Sequence, residues 1–146
     1  MILSSKMREK NLVWIDLEMT GLDPMRDKIL EIATLVTDSN LNILKEAPTF
    51  FISQPQSIIA TMDEWNSKHH SESGLLDLIR TKGVHEEYAE AKVIEAISPY
   101  INPGVSPLCG NSIWQDRRFL EKYMPKLNKA FHYRNVDVSS IKELVR

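Results

Sequence analysis

Leu12-Val13-Trp14-Ile15-Asp16-Leu17-Glu18 starts as an apolar, β-branched run and finishes in acid. Such a run predicts a central β-strand. Side chains alternate along a strand, so Leu12, Trp14, Asp16 and Glu18 share one face. The Cα atoms of Asp16 and Glu18 then lie about 6.5 Å apart. Two carboxylates so placed repel each other and resist burial, and a divalent cation relieves both costs. The plainer alternative is that Glu18 sits at the strand's end and is solvated.

Downstream, Gly21-Leu22-Asp23-Pro24 is a turn, and Ile29–Thr37 reads as a second strand. Asp38-Ser39-Asn40 punctuates it, and residues 41–52 form the next extended segment, giving a hairpin. After Pro55 the texture becomes helical. Residues 62–69 and 73–81 predict two short helices, with Gly74 at their junction or at the start of the second. Residues 86–101 predict a longer one, with Ala89, Val93 and Ile97 on one face. Asn102-Pro103-Gly104 ends it, and residues 105–110 are a short strand. Asn111-Ser112 can cap a helix running from Ile113 to about Met124, before Pro125. Val136-Asp137-Val138 is the last strand, and Ser139-Ser140 caps a final helix. An antiparallel start followed by alternating helix and strand predicts an α/β fold, a mixed five-stranded sheet with flanking helices.

The 146 residues suit one domain, read as an N-terminal extension over 1–10 and a folded domain over 11–146. An apolar content of 42% supports an ordinary core. With 18 Lys+Arg against 20 Asp+Glu, there is no basic track for gripping long nucleic acid. The lone Cys109 excludes an internal disulfide, and no Cys/His cluster has zinc spacing. No apolar run approaches the ~20 residues of a membrane helix, and Ile2-Leu3 is too short for a secretory core. The expected compartment is cytoplasmic. Lys6, Arg8 and Lys10 leave a mitochondrial address open for a eukaryotic source.

In the helix after Ser112, Asp116 stands three residues after Ile113 and four before Leu120, on the core-facing stripe. An acid there needs an arginine, a cap or a metal. Arg117 and Arg118 project from other faces. A cation shared by Asp16, Glu18 and Asp116 accounts for all three acids. Their hard oxygens suit Mg²⁺ or Mn²⁺ rather than zinc, and carboxylate clusters of this kind support two-metal phosphoryl chemistry.

The run from Trp14 through Asp23 resembles the first motif of the DEDDh 3′→5′ exonuclease superfamily, and in particular its oligoribonuclease branch. Agreement continues at Met62-Asp63-Glu64-Trp65-Asn66, His70, Ser73-Gly74-Leu75, Cys109-Gly110-Asn111-Ser112-Ile113, Gln115 through Leu120, His132-Tyr133-Arg134 and Asp137-Val138-Ser139. The resemblance spans residues 11–146. It implies a ribonuclease-H-like exonuclease fold and hydrolysis of very short RNA, from its 3′ end, to nucleoside 5′-monophosphates. It also implies that Asp16, Glu18 and Asp116 are catalytic metal ligands for two Mg²⁺ or Mn²⁺ ions. Leu22 and Trp65 would contact bases, and His70 would lie near the substrate backbone. Ser112, Arg134 and Ser139 would grip a 5′ phosphate, and Tyr133 would be supplied across a homodimer. By themselves Trp65 reads as a packing tryptophan and Arg134 as a surface cation.

The same family uses a third motif with a general-base histidine and a fourth acid. That motif is not found before Arg146, so the C-terminal part of the domain is expected to be missing here. His132 with Asp137 has the wrong spacing, and His69 and His70 precede the second motif. These 146 residues alone are therefore expected to show at most trace activity. The alternatives are a catalytically dead RNA- or partner-binding remnant and a DNA exonuclease of the same superfamily.

Overall fold

A computed structural model describes residues 2–146, so of the expected 1–10 extension Met1 lies outside the described residues. The remainder of that extension contains a one-turn helix, α1 (Ser5–Arg8), whose N-cap Ser4 accepts from the Met7 amide. Among the described residues six strands form one mixed sheet: β1 (Leu12–Met19), β2 (Ile29–Thr37), β3 (Ile43–Glu46), β4 (Phe50–Phe51), β5 (Leu108–Gly110) and β6 (Asn135–Asp137). Their order is β3-β2-β1-β5-β6, with β4 also paired to β2. β1, β2, β3 and β4 pair antiparallel, whereas β5 and β6 join in parallel.

The expected count of five strands is corrected to six because the segment 41–52 is broken. Ala47 donates to the Thr34 carbonyl, and Pro48, which has no amide hydrogen, follows it and ends the ladder. β3 and β4 therefore pair with different stretches of β2. The parallel strand expected over 105–110 shrinks to β5, with Pro107 directly before its first residue.

The helical half also shifts in its boundaries. α2 (Gln56–Ile59), which the sequence reading did not anticipate, precedes α3 (Glu64–Glu72) and α4 (Leu75–Lys82). Asp63 caps α3 by accepting from the Asn66 amide, which moves the start past residue 62. Gly74 separates α3 from α4 at φ 78°, a left-handed conformation that glycine adopts without cost. α5 (Glu86–Ile97) stops short of residue 101, and a 3₁₀ turn over Ser98–Tyr100 follows it, with Pro99 in that turn. α6 (Ile113–Tyr123), α7 (Pro125–Asn128) and α8 (Val138–Val145) complete the chain. None of these helices is long and apolar enough to cross a membrane.

Strand alternation sorts the two faces of the sheet. Val13, Ile15 and Leu17 pair with Val36, Thr34 and Ile32, and all six are buried. Ala89, Val93 and Ile97 of α5 and Ile113, Phe119 and Leu120 of α6 belong to the same buried layer. The opposite face carries Trp14, Asp16 and Glu18 against Leu35, Ala33 and Glu31. Its acids are therefore presented outward on a strand whose other side is locked in the core.

Candidate active site

Asp16 and Glu18 occupy the end of β1, one turn of the pleat apart. α6 brings the third acid. Gly110 permits this approach, since a Cβ there would lie 2.9 Å from both Ile15 O and Ile113 Cδ1. Asp116, 7% exposed, is buried with Ile113, Phe119 and Leu120 on the inward stripe of α6. Its Oδ2 accepts from the Leu17 amide at 3.0 Å, between the two β1 carboxylates in sequence.

The three acids influence one another electrostatically, although among the described residues the ligand atoms that gather within 4.8 Å are those of Glu18, His69 and His70. Burial pushes the Asp116 pKa up to about 7; the Leu17 hydrogen bond opposes the rise, and the neighbouring Asp16 and Glu18 charges add to it. Desolvation raises Asp16 as well. Among the described residues no lysine or arginine lies within 4.0 Å of any of the three acids. Arg117 instead donates to the His132 carbonyl and to Asn135 Oδ1, both at 2.7 Å, and Arg118 donates to Gln115. Three hard carboxylates, one of them buried and unpaired, fit a divalent cation.

Glu31 is a fourth acid on this face that sequence reasoning passed over. It pairs directly with Glu18 across β1 and β2. Burial raises its pKa, with Glu18 and Asp16 adding to the effect. The available signal was its place as the one charged residue inside Ile29–Thr37, with outward parity once the hairpin register is set.

His70 is 2% exposed and is held by a 2.7 Å bond from Nε2 to the Met19 carbonyl. Its Nδ1 lies 4.0 Å from Glu18 Oε2. His69 is exposed and stacks on Trp65, with ring centroids 4.9 Å apart. Both histidines thus stand at the acidic end of β1, a juxtaposition not visible from their position before the second motif. Trp65 and Leu22 are 68% and 62% exposed, which leaves their apolar surfaces open to a ligand. Leu22 projects from a fixed loop: Asp27 accepts from Thr20 Oγ1 and the Asp23 amide, and a Cβ on Gly21 would lie 2.6 Å from Asp27 Cγ.

Ser112 and Ser139 come together, but not as caps. Ser112 precedes α6 in a left-handed conformation, φ 50°, and its side chain makes no capping bond. Its amide donates to Asp137 Oδ1 and its hydroxyl to Ser139 Oγ. The expected cap at Ser139-Ser140 is likewise replaced by Asp137, which accepts from the Ser139 amide and starts α8 at Val138. Burial works to raise the Asp137 pKa, but hydrogen bonds from Ser139, Ser112 and Ser140 leave it lowered. Tyr133 and Arg134 are exposed on the adjoining loop, with the guanidinium 5.8 Å from the Tyr133 ring. Arg134 makes no ion pair among the described residues.

A sequence profile of the RNase_T exonuclease family matches residues 13–146. Oligoribonuclease from Shewanella loihica is 58% identical over 138 residues, covering 94% of this chain and 76% of that protein. The chain belongs to the oligoribonuclease family of exonucleases. Oligoribonuclease from Klebsiella pneumoniae also shares 58% identity, with the same two coverages, and that from Dichelobacter nodosus shares 56% over 94% of this chain and 77% of its own length. Among solved structures, exonuclease I from Methylocaldum szegediense superposes with a TM-score of 0.65 at 20% identity, over 93% of this chain and 29% of that one. E. coli exonuclease I in complex with a dA13 oligonucleotide gives 0.60 at 16% identity, over 92% and 29%. These two likenesses establish the exonuclease fold for this oligoribonuclease-family chain.

Proposed function

We propose that the protein removes nucleoside 5′-monophosphates from the 3′ end of oligoribonucleotides a few residues long. Asp16, Glu18 and Asp116 would hold Mg²⁺ or Mn²⁺. Divalent cations bound there supply an activated water and charge stabilisation for the leaving oxygen. The chain's own residues do the rest. The Leu17 amide fixes Asp116 so that its carboxylate stays aimed at β1. Leu22 and Trp65 offer apolar and stacking surface that accepts any base, which matches a substrate defined by length rather than sequence. Ser112 and Ser139 present neighbouring hydroxyls, and Arg134 an unpaired cation, for a terminal 5′ phosphate. His70 lies next to Glu18, close to where the substrate backbone would pass. Tyr133, 75% exposed here, is read as a residue contributed to the partner's site in a homodimer. The cytoplasm is the compartment proposed for this activity.

The observation that carries the reading is Asp116, an acid with no cationic partner among the described residues, whose pKa is raised chiefly by burial and further by Asp16 and Glu18. A net charge of −2 agrees with local phosphate contacts instead of a long basic track. The test is product analysis with the full-length gene product in Mn²⁺, using 5′-phosphorylated RNA of two to twenty nucleotides. Preferential conversion of the shortest oligomers to 5′-monophosphates is expected. Equal rates at all lengths, or internal cleavage, would overturn the proposal.

A further inference from the structure

We propose that Glu18, His69 and His70 form a second cation site, selective for a borderline transition metal of the Zn²⁺ class. A carboxylate oxygen and one ring nitrogen from each histidine all lie within 4.8 Å of one another. The fold assembles them from the end of β1 and the last turn of α3, so no sequence spacing announces the site.

His70 supplies the independent reason to place a cation there. Its Nε2 faces the Met19 carbonyl at 2.7 Å, and a carbonyl only accepts, so that nitrogen carries the hydrogen. In the neutral ring Nδ1 is then a bare lone pair. It is buried, has no hydrogen-bond partner, and faces the Glu18 carboxylate at 4.0 Å. Two acceptors pointed at each other need a positive charge between them. A histidine whose other nitrogen donates to a backbone carbonyl is also the usual arrangement of a metal-ligating imidazole, because the bond fixes tautomer and ring orientation.

The donor set selects the metal. Two imidazoles and one carboxylate suit zinc-class ions, whereas the all-carboxylate set of Asp16, Glu18 and Asp116 suits Mg²⁺ or Mn²⁺. Tetrahedral coordination at ordinary zinc bond lengths brings ligand atoms to about 3.3 Å from one another. To close that gap the exposed His69 and the half-exposed Glu18 would turn toward His70, His69 leaving its stack on Trp65. A metal so held has three protein ligands and an open position. Because Glu18 belongs to both sets, zinc would compete with Mn²⁺ for it; that consequence rests on the function proposed above, whereas the site itself does not.

The experiment is calorimetric titration of tag-free, chelator-stripped protein with Zn²⁺ and, separately, with Mn²⁺. One equivalent of Zn²⁺ is expected to bind, and to persist in Asp116→Asn. In His69→Gln, a change at an exposed position, Zn²⁺ should bind at least about tenfold more weakly while Mn²⁺ binding is unchanged. Co²⁺ substituted for zinc should give the visible absorption of a nitrogen-ligated, low-coordinate ion, and His69→Gln should diminish it. Zinc bound equally well by His69→Gln, or lost in Asp116→Asn alone, would place the ion on the carboxylates and overturn the site. No zinc uptake, with His70 doubly protonated by ring nitrogen NMR, would overturn it too and assign a His70–Glu18 ion pair. Mn²⁺ binding that survives Asp116→Asn would count against the proposed function while leaving the zinc site standing.

Discussion

The Asp116 carboxylate accepts from the Leu17 amide at 3.0 Å, so a helix side chain completes the hydrogen bonding of a strand beyond the point where the neighbouring strand has turned away. β5 pairs with β1 only as far as Trp14↔Cys109. Past Gly110 the chain enters α6, and Asp116 takes the place of the next ladder partner. One bond therefore both ends the sheet and fixes the third acid beside the first two.

Asp116→Asn should separate stability from metal binding. The folded pKa of about 7 lies above the ordinary aspartate value of 3.8, so the native state holds its proton more tightly than the unfolded chain. Stability from this group is full below about pH 4 and falls as pH rises through 7. Asparagine keeps an acceptor for Leu17 and carries no charge. In chelator, the variant should be more stable than the parent at pH 8, on the order of 1–3 kcal/mol, and indistinguishable at pH 4. Mn²⁺ affinity should fall at least tenfold. Urea titrations at the two pH values check the first outcome and calorimetry the second.

Much of this site was legible before the fold was known, because period-two alternation places Asp16 and Glu18 together and helical spacing turns Asp116 inward. The strand count was not. Residues 41–52 have uniform β character, and only the pairing of Ala47 with Thr34 and the missing amide of Pro48 show where they divide. The caps at Ser112 and Ser139 were misread for a related reason. Asp137 reaches the Ser112 amide from β6, a long-range contact that local cap preference does not contain, and it caps α8 through the Ser139 amide two residues on. Glu31 and His70 depend on register and tertiary packing in the same way.

Gly110→Ala should damage the site through packing. The new methyl would sit 2.9 Å from the Ile15 carbonyl, which is backbone and cannot rotate away. α6 would have to retreat from β1, lengthening the Asp116–Leu17 bond. A loss of about 1–3 kcal/mol is expected from the overpacking. Mn²⁺ binding should weaken although no ligand has been changed. An unaltered midpoint of unfolding would show that the backbone absorbs the methyl and would remove the close approach as a constraint.

Arg134→Ala should act on substrate ends. The guanidinium has no carboxylate partner among the described residues, so its loss should leave thermal stability within about 0.5 kcal/mol, as at most surface positions. A charge-assisted contact with phosphate contributes about 1.5–3 kcal/mol. Binding of a 5′-phosphorylated dinucleotide should therefore drop about ten- to hundredfold, with little change for the same dinucleotide ending in a 5′ hydroxyl. Equal losses for both ligands would assign Arg134 to another part of the substrate.

Cys109 should be chemically silent in the folded protein. It pairs between Trp14 and Val136 at the centre of the sheet, and burial pushes its pKa up to about 12 from 9.0, with backbone hydrogen bonds only partly opposing the shift. The thiolate is the reactive form, so this rise lowers its population at pH 8 by about a thousandfold. Iodoacetamide at that pH should label Cys109 in urea and leave the native protein unmodified by mass spectrometry. The same shift makes a stability claim. The native state retains the thiol proton between pH 9 and 12 while the unfolded chain loses it, so stability is intact below about 9 and declines above it. Cys109→Ala should lose stability through the space it leaves, yet decline less steeply than the parent above pH 9. Rapid native labelling at a rate matching the urea-unfolded chain would mean that β5 opens readily, and the tight β1–β5 seam that positions Asp116 would have to be reconsidered.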